Sequence, residues 1–154
     1  MTTIMRIVIA IALMAGGLSS AAADWANLGG SGRSAGFVDA GRYVGISADC
    51  ADGALRLVFS VDDWSLQQGL AYTVVATVDD TAFILPSKAV SGPDGDVLVH
   101  RLDAHDRQTV LPALRRGRQV EIATPLGRYT IPLDGSGAAL GTLLAACPLA
   151  AGGR

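Results

Sequence analysis

The chain has 154 residues, half of them hydrophobic and 17% charged, with a formal net charge of −2. At that size one core can bury roughly two thirds of the unfolded chain's surface, so a single domain is expected that needs no metal to hold it together. The acidic balance argues against a nucleic-acid binder, which would carry a basic stripe, and against electrostatic docking on anionic lipid.

Residues 1–23 read as a secretory leader. Arg6 supplies a cationic start, residues 7–15 (IVIAIALMA) form an unbroken apolar run, and Ala21-Ala22-Ala23 gives a small-x-small cleavage pattern. The run is shorter than the about 20 apolar residues that cross a bilayer. Cleavage after Ala23 would remove Arg6, make the product one unit more acidic and leave no transmembrane segment. A periplasmic or secreted location is expected.

Residues 24–41 are rich in Gly and Ser and read as a lead-in, flexible in its first half and with an edge strand around Phe37-Val38 in its second. A single β-rich domain is expected over 42–148. Strands follow at regular spacing. Residues 42–50 come first, then 54–61 with Leu55, Leu57, Phe59 and Val61 on one face, then 70–78. Asp79-Asp80 makes a tight turn into a strand over 81–85. After the turn-rich SGPDGD, residues 97–102 form another strand, and 118–124 pairs with 128–133 across Pro125-Leu126-Gly127. A short helix is expected over 109–116, with Pro112 in its first turn and Gly117 at its C-terminus. A final helix starts with Ser136 as N-cap and stops at Pro148, leaving residues 149–154 as a frayed tail. Six or seven strands with regular turns predict an antiparallel sandwich or small barrel with the C-terminal helix packed on it. The acidic residues, 13 Asp to one Glu, suit such a loop-rich protein, because Asp favours turns and caps.

The chain has two cysteines, Cys50 and Cys147. In an oxidising compartment they are expected to pair. Cys50 continues the face of Val44, Ile46 and Ala48 on a strand. Cys147 completes the helical series Leu140, Leu143, Leu144. A bond between them staples the last helix to an early strand.

Among polar residues, His100, Asp103, His105 and Asp106 are candidates for a metal site or acid–base pair. A spacing of five does not put both rings on one face of a strand or helix, and the plainer expectation is a strand end capping the next helix. Asp94-Gly95-Asp96, Asp62-Asp63 and Asp79-Asp80 resemble fragments of calcium loops but lack the further oxygen ligands such a loop needs, so they read as turns. Arg115, Arg116 and Arg118 form the densest positive patch. Trp64, in DDWSLQQG, is placed either to cap the core or to line a contact surface. No nucleophile motif is present: Gly-x-Ser-x-Gly is absent, and neither cysteine is available if they pair.

Three phrases carry a family likeness. They are Trp64-Ser65-Leu66 with Gly69 before a strand ending in Val78-Asp79; Leu111, Leu114 and Gly117 leading into Val120-Glu121-Ile122; and Leu133-Asp134-Gly135-Ser136 with Ala139-Leu140 and Cys147. In this order they resemble a loose group of small exported bacterial β proteins that includes the invasion-associated locus B family. The resemblance implies a periplasmic or envelope protein without enzymatic activity, and it carries over no site residues. The expectation is therefore an exported, non-catalytic protein with no cofactor that binds another envelope protein through Trp64, Arg115, Arg116 and Arg118. A second expectation is a carrier holding a small ligand inside the β fold. A third is a metal-dependent hydrolase built on His100, His105 and the nearby aspartates.

Overall fold

The computed structural model describes residues 23–148. The leader, Ala23 apart, and the tail expected over 149–154 lie outside the described residues. Nine strands form one sheet: β1 (Asp24–Ala26), β2 (Ser34–Asp39), β3 (Arg42–Ala51), β4 (Ala54–Ser60), β5 (Ala71–Val78), β6 (Thr81–Gly92), β7 (Gly95–Arg101), β8 (Gln119–Thr124) and β9 (Gly127–Pro132). Helix α1 (Ala104–Arg116) lies between β7 and β8, and α2 (Ser136–Ala146) follows β9. All pairings are antiparallel, in the order β1-β2-β3-β4-β7-β6-β5-β8-β9.

The protein is thus mainly β and antiparallel, but it is one curled half-barrel sheet rather than a sandwich or closed barrel of six or seven strands. The ends of the sheet approach without forming a ladder. Trp25 Nε1 of β1 donates to the Pro132 carbonyl of β9 at 2.8 Å, and Tyr129 Oη of β9 donates to the Gly45 carbonyl of β3 at 2.7 Å. Alternation puts Ile46, Ala48, Leu55, Leu57, Phe59, Val74, Ala76, Leu85, Leu98 and Ile122 on the enclosed face, where they pack with Val110, Leu111 and Leu114 of α1 and Leu140 and Leu143 of α2. Each of these side chains is buried.

Several segments differ from expectation for identifiable reasons. Residues 24–41 supply the edge strand expected around Phe37-Val38, as β2, and a further strand, β1, where a flexible stretch was expected. Trp25 is buried, and Asn27 Nδ2 donates to the carbonyls of Ser34 (2.8 Å) and Ala139 (3.0 Å), tying the β1–β2 loop to α2. β6 continues through Pro86 to Gly92 instead of ending at Leu85. The backbone nitrogen of Pro86 faces away from β5 and lies beyond the end of the β6–β7 ladder at Lys88, so its missing N–H costs the ladder nothing. α1 begins at Ala104, five residues before the predicted start, which moves Pro112 from the first turn into the body of the helix. Gly117 does end α1, its N–H donating to the Ala113 carbonyl at 2.8 Å, but with φ −69° it is not left-handed. Glycine is needed there for space, since a Cβ would run into Val78 and Leu133. Ser136 is not the N-cap of α2. Gly135 holds that position at φ +83°, and the buried Ser136 hydroxyl donates to the Leu114 carbonyl of α1 at 2.7 Å.

The disulfide Cys50–Cys147 is present, with a Cα–Cα distance of 5.7 Å and a sequence separation of 97 residues. Cys147→Ser should lower stability by about 4 kcal/mol, because closing so long a loop removes much of the unfolded chain's entropy; urea unfolding with and without reductant measures it. Tyr129→Phe should cost about 1–2 kcal/mol by leaving the Gly45 carbonyl unpaired. Burial raises the Tyr129 phenol above its ordinary value. Its contribution is therefore complete below pH about 10 and fades as pH rises beyond that. An alkaline urea series should show this loss in the wild type and less of it in Tyr129→Phe.

Candidate functional site

The cluster flagged at 100–106 is built around the start of α1. His100 lies on the enclosed face of β7 and is buried. Its Nδ1 donates to the Pro86 carbonyl of β6 at 2.7 Å, and its Nε2 lies 2.9 Å from Asp106 Oδ2. Both ring nitrogens are thereby engaged. Asp103 is the N-cap of α1 in a reciprocal capping box: its Oδ1 accepts from the Asp106 amide at 2.8 Å, and Asp106 Oδ2 accepts from the Asp103 amide at 3.3 Å. The hydrogen bond from the Asp106 amide holds the Asp103 carboxyl below its usual range. His105 is exposed, and its side chain shares no hydrogen bond with the other three. The four residues therefore do not converge, and among the described residues no three His, Cys, Asp or Glu side chains gather as a ligand set.

The aspartate pairs also serve as structure. Asp79, at φ +50°, turns β5 into β6, and its carboxylate accepts from the amides of Arg118 and Gln119 at 3.1–3.3 Å. Asp62 forms a two-pronged pair with Arg42, at 2.9 and 2.6 Å, which lowers the carboxyl and raises the guanidinium. Asp96 fastens the Trp64 loop to β7, accepting from the Leu66 amide at 2.9 Å and from Gln68 Nε2 at 2.6 Å. Trp64 itself is half-buried against the core.

Arg115, Arg116 and Arg118 are exposed at the end of α1. Arg116 lines a shallow trough with Thr81, Phe83, Pro112 and Gly117. The structure does not bring Trp64 and the arginines together into one site.

Two surface features were not anticipated from the sequence, although Asp62, Asp94 and Asp96 stand at the side of the first. A groove of about 250 Å³ runs over the outer face of β3, β4 and β7, floored by Tyr43, Val58 and Val97 with Ser47 and Ser60 beside them. The outer face also carries Val75 opposite Ile84, Val90 opposite Val97 and Val58 opposite Val99. Ile84 is 71% exposed and Val90 40%. The signal was in the sequence: these strands hold β-branched residues at outward as well as inward positions, where a half-solvated strand would hold polar ones. The interior is filled by side chains, so the open space lies outside the sheet rather than within it.

No family model matches the chain, and no curated protein matches it. A solved structure, the invasion-associated protein B from Bartonella henselae, is similar over 68% of this chain and 94% of its own, with 17% identity and a TM-score of 0.35. That protein carries the name of the family the sequence resembles.

The Asp103 cap predicts an acid-sensitive helix start. A carboxyl depressed in the fold stabilises above its unfolded value and loses that contribution as pH falls through its folded value. The margin in melting temperature of wild type over Asp103→Ala should therefore shrink below pH about 4. Asp103→Asn keeps a capping oxygen without the charge, so its own margin over Asp103→Ala should vary less over the same range. Thermal unfolding of the three proteins from pH 3 to pH 6 checks this.

Proposed function

We propose that this is an exported, non-catalytic protein of the periplasm or envelope that works by binding another envelope protein. The observation that carries the reading is the outer face of the sheet, where β-branched side chains stand exposed on a fold whose own core is already complete. Exposed apolar surface of this kind marks interaction sites more often than it occurs by chance on a monomer. Two further features support export and a structural role. The cysteines are paired, as suits an oxidising compartment. The histidine and aspartates that would serve a hydrolase are engaged in holding α1 to the sheet.

No helix of the described residues is long and apolar enough to cross a membrane. The exposed arginines at the end of α1 supply charge to the encounter, and such charges act mainly on association rate and salt dependence. Trp64, half-buried, contributes by shaping the loop pinned by Asp96.

The test is capture of the partner from the host's own envelope by crosslinking to residues 24–154, read by mass spectrometry. Replacing Arg115, Arg116 and Arg118 by Ser should slow association and flatten its salt dependence. Unchanged capture at low salt would remove the arginines from the surface. Val90→Lys with Ile84→Lys should abolish capture while leaving the melting temperature within a few degrees.

A further inference from the structure

We infer that β6 offers an open strand edge, beside α1, that takes an extended segment of the partner polypeptide as an added strand; this rests on the partner-binding reading and specifies its mode. The inference starts from register. Val78 and Thr81 close a two-residue turn, so Thr81, Phe83 and Leu85 exchange backbone hydrogen bonds with β5. Ala82 and Ile84 turn their N–H and C=O groups the other way. On that side the β6–β7 ladder stops at Lys88, and the next carbonyl, Pro86, is taken by His100. Among the described residues nothing bonds to the backbone of Ala82 or Ile84. A sheet edge with its donors and acceptors exposed is a template for strand addition.

The space beside that edge is a slot of about 310 Å³ between β6 and α1, lined by Phe83, Ile84, His105, Thr109 and Val110. Phe83 and Thr109 also line the trough that leads to Arg116, so slot and trough form one path along α1. Charge gives the occupant its chemistry. Asp106 is committed to His100 and Asp79 to the amides of Arg118 and Gln119. Asp79 also lies 3.9 Å from the Arg118 guanidinium, so Arg116 faces Asp80 at the trough's far end. The segment that fits is extended, apolar at the residue beside Ile84, and acidic two or more residues along toward Arg116.

The test exploits the register. Proline at 82 or 84 removes an N–H that faces the slot and breaks no bond to β5. Whole protein bearing a photoreactive benzophenone residue at position 109 in the slot, or at position 99 on the outer face, is irradiated in the host envelope and adducts are mapped by mass spectrometry. The expected result is an adduct from position 109 to one stretch of a second polypeptide. It should fall roughly tenfold or more with Ala82→Pro and Ile84→Pro together, since two hydrogen bonds are lost. Ile84→Thr, which keeps the N–H, should reduce it less. An adduct that the prolines leave unchanged overturns the edge, as does an adduct from position 99 alone, which leaves the partner reading standing. Adducts from neither position remove both. A chain-to-chain adduct replaces the partner segment by a second copy. Should the prolines unfold the protein, amide exchange of the wild type decides: Ala82 and Ile84 must exchange much faster than Phe83 and Leu85, and equal protection of all four ends the proposal.

Discussion

A curled sheet whose first and last strands never pair must be closed by something other than a ladder, and most features of this protein follow from how that is done. The edge groups of β1 and β9 meet through a side chain, Trp25 to the Pro132 carbonyl, and β9 reaches across to β3 through Tyr129. Such single bonds contribute only about 1 kcal/mol each. The larger closing element is α2, which lays Leu140 and Leu143 over the enclosed face and is fixed at both ends. At its start the Ser136 hydroxyl holds the Leu114 carbonyl, and Gly137 lets the backbone approach the Arg115 carbonyl, where a Cβ would lie at 2.9 Å. At its end Cys147 is bonded to Cys50 on β3. The helix therefore ties α1 to the first half of the sheet. The disulfide is the covalent form of a contact that packing already favours.

The same economy explains why the polar residues that looked like chemistry are not assembled as a site. α1 must leave β7 and turn under the sheet, which exposes orphan amides at its start. Asp103 and Asp106 satisfy them, and Asp106 also reaches the one buried ring, His100, whose other nitrogen holds β6. A histidine engaged at both nitrogens and sunk 93% from solvent has no nitrogen left to meet a substrate. Asp79 and Asp96 follow the same pattern: each carboxylate collects two loop donors and so fixes a connection between strands that are not neighbours in sequence.

Much of this was legible in the chain, and the failures have physical causes. Alternation located β3, β4, β5, β8 and β9 because each has one buried face. The helical spacing of Leu140, Leu143 and Cys147 located α2 and its cysteine. β2 was legible only around Phe37-Val38 and β1, three residues long, was missed, because the glycines around them weaken the strand signal, although Gly36 is there for a different reason: a Cβ would strike Ser47 and Tyr43 of β3. The start of α1 was missed because its capping box uses Asp at both positions, where Ser or Thr with Glu is the familiar form. β6 was cut short at Pro86 by a rule that holds only where the strand position must donate. Outer-face chemistry was the least legible, since alternation tells which residues face inward and says nothing of what the outward ones meet.

The split between β6 and β7 joins these threads. β7 cannot follow β6 beyond Val99, because His100 and Asp106 draw the chain into α1. What is gained is a capped helix whose Val110, Leu111 and Leu114 complete the core. What is left is a short length of β6, Ala82 to Ile84, with backbone groups that no residue of the described chain satisfies. Folded proteins usually blunt such an edge with charge, proline or a bulge. Here Pro86 guards one end and the Asp79-Asp80 turn the other, while the residues between are Thr, Ala, Phe, Ile and Leu, with Ile84 the most exposed large apolar residue of the described chain. Two guarded ends and an unguarded middle limit any pairing at this edge to a short segment entering beside α1, and so blunt an edge otherwise prone to aggregation.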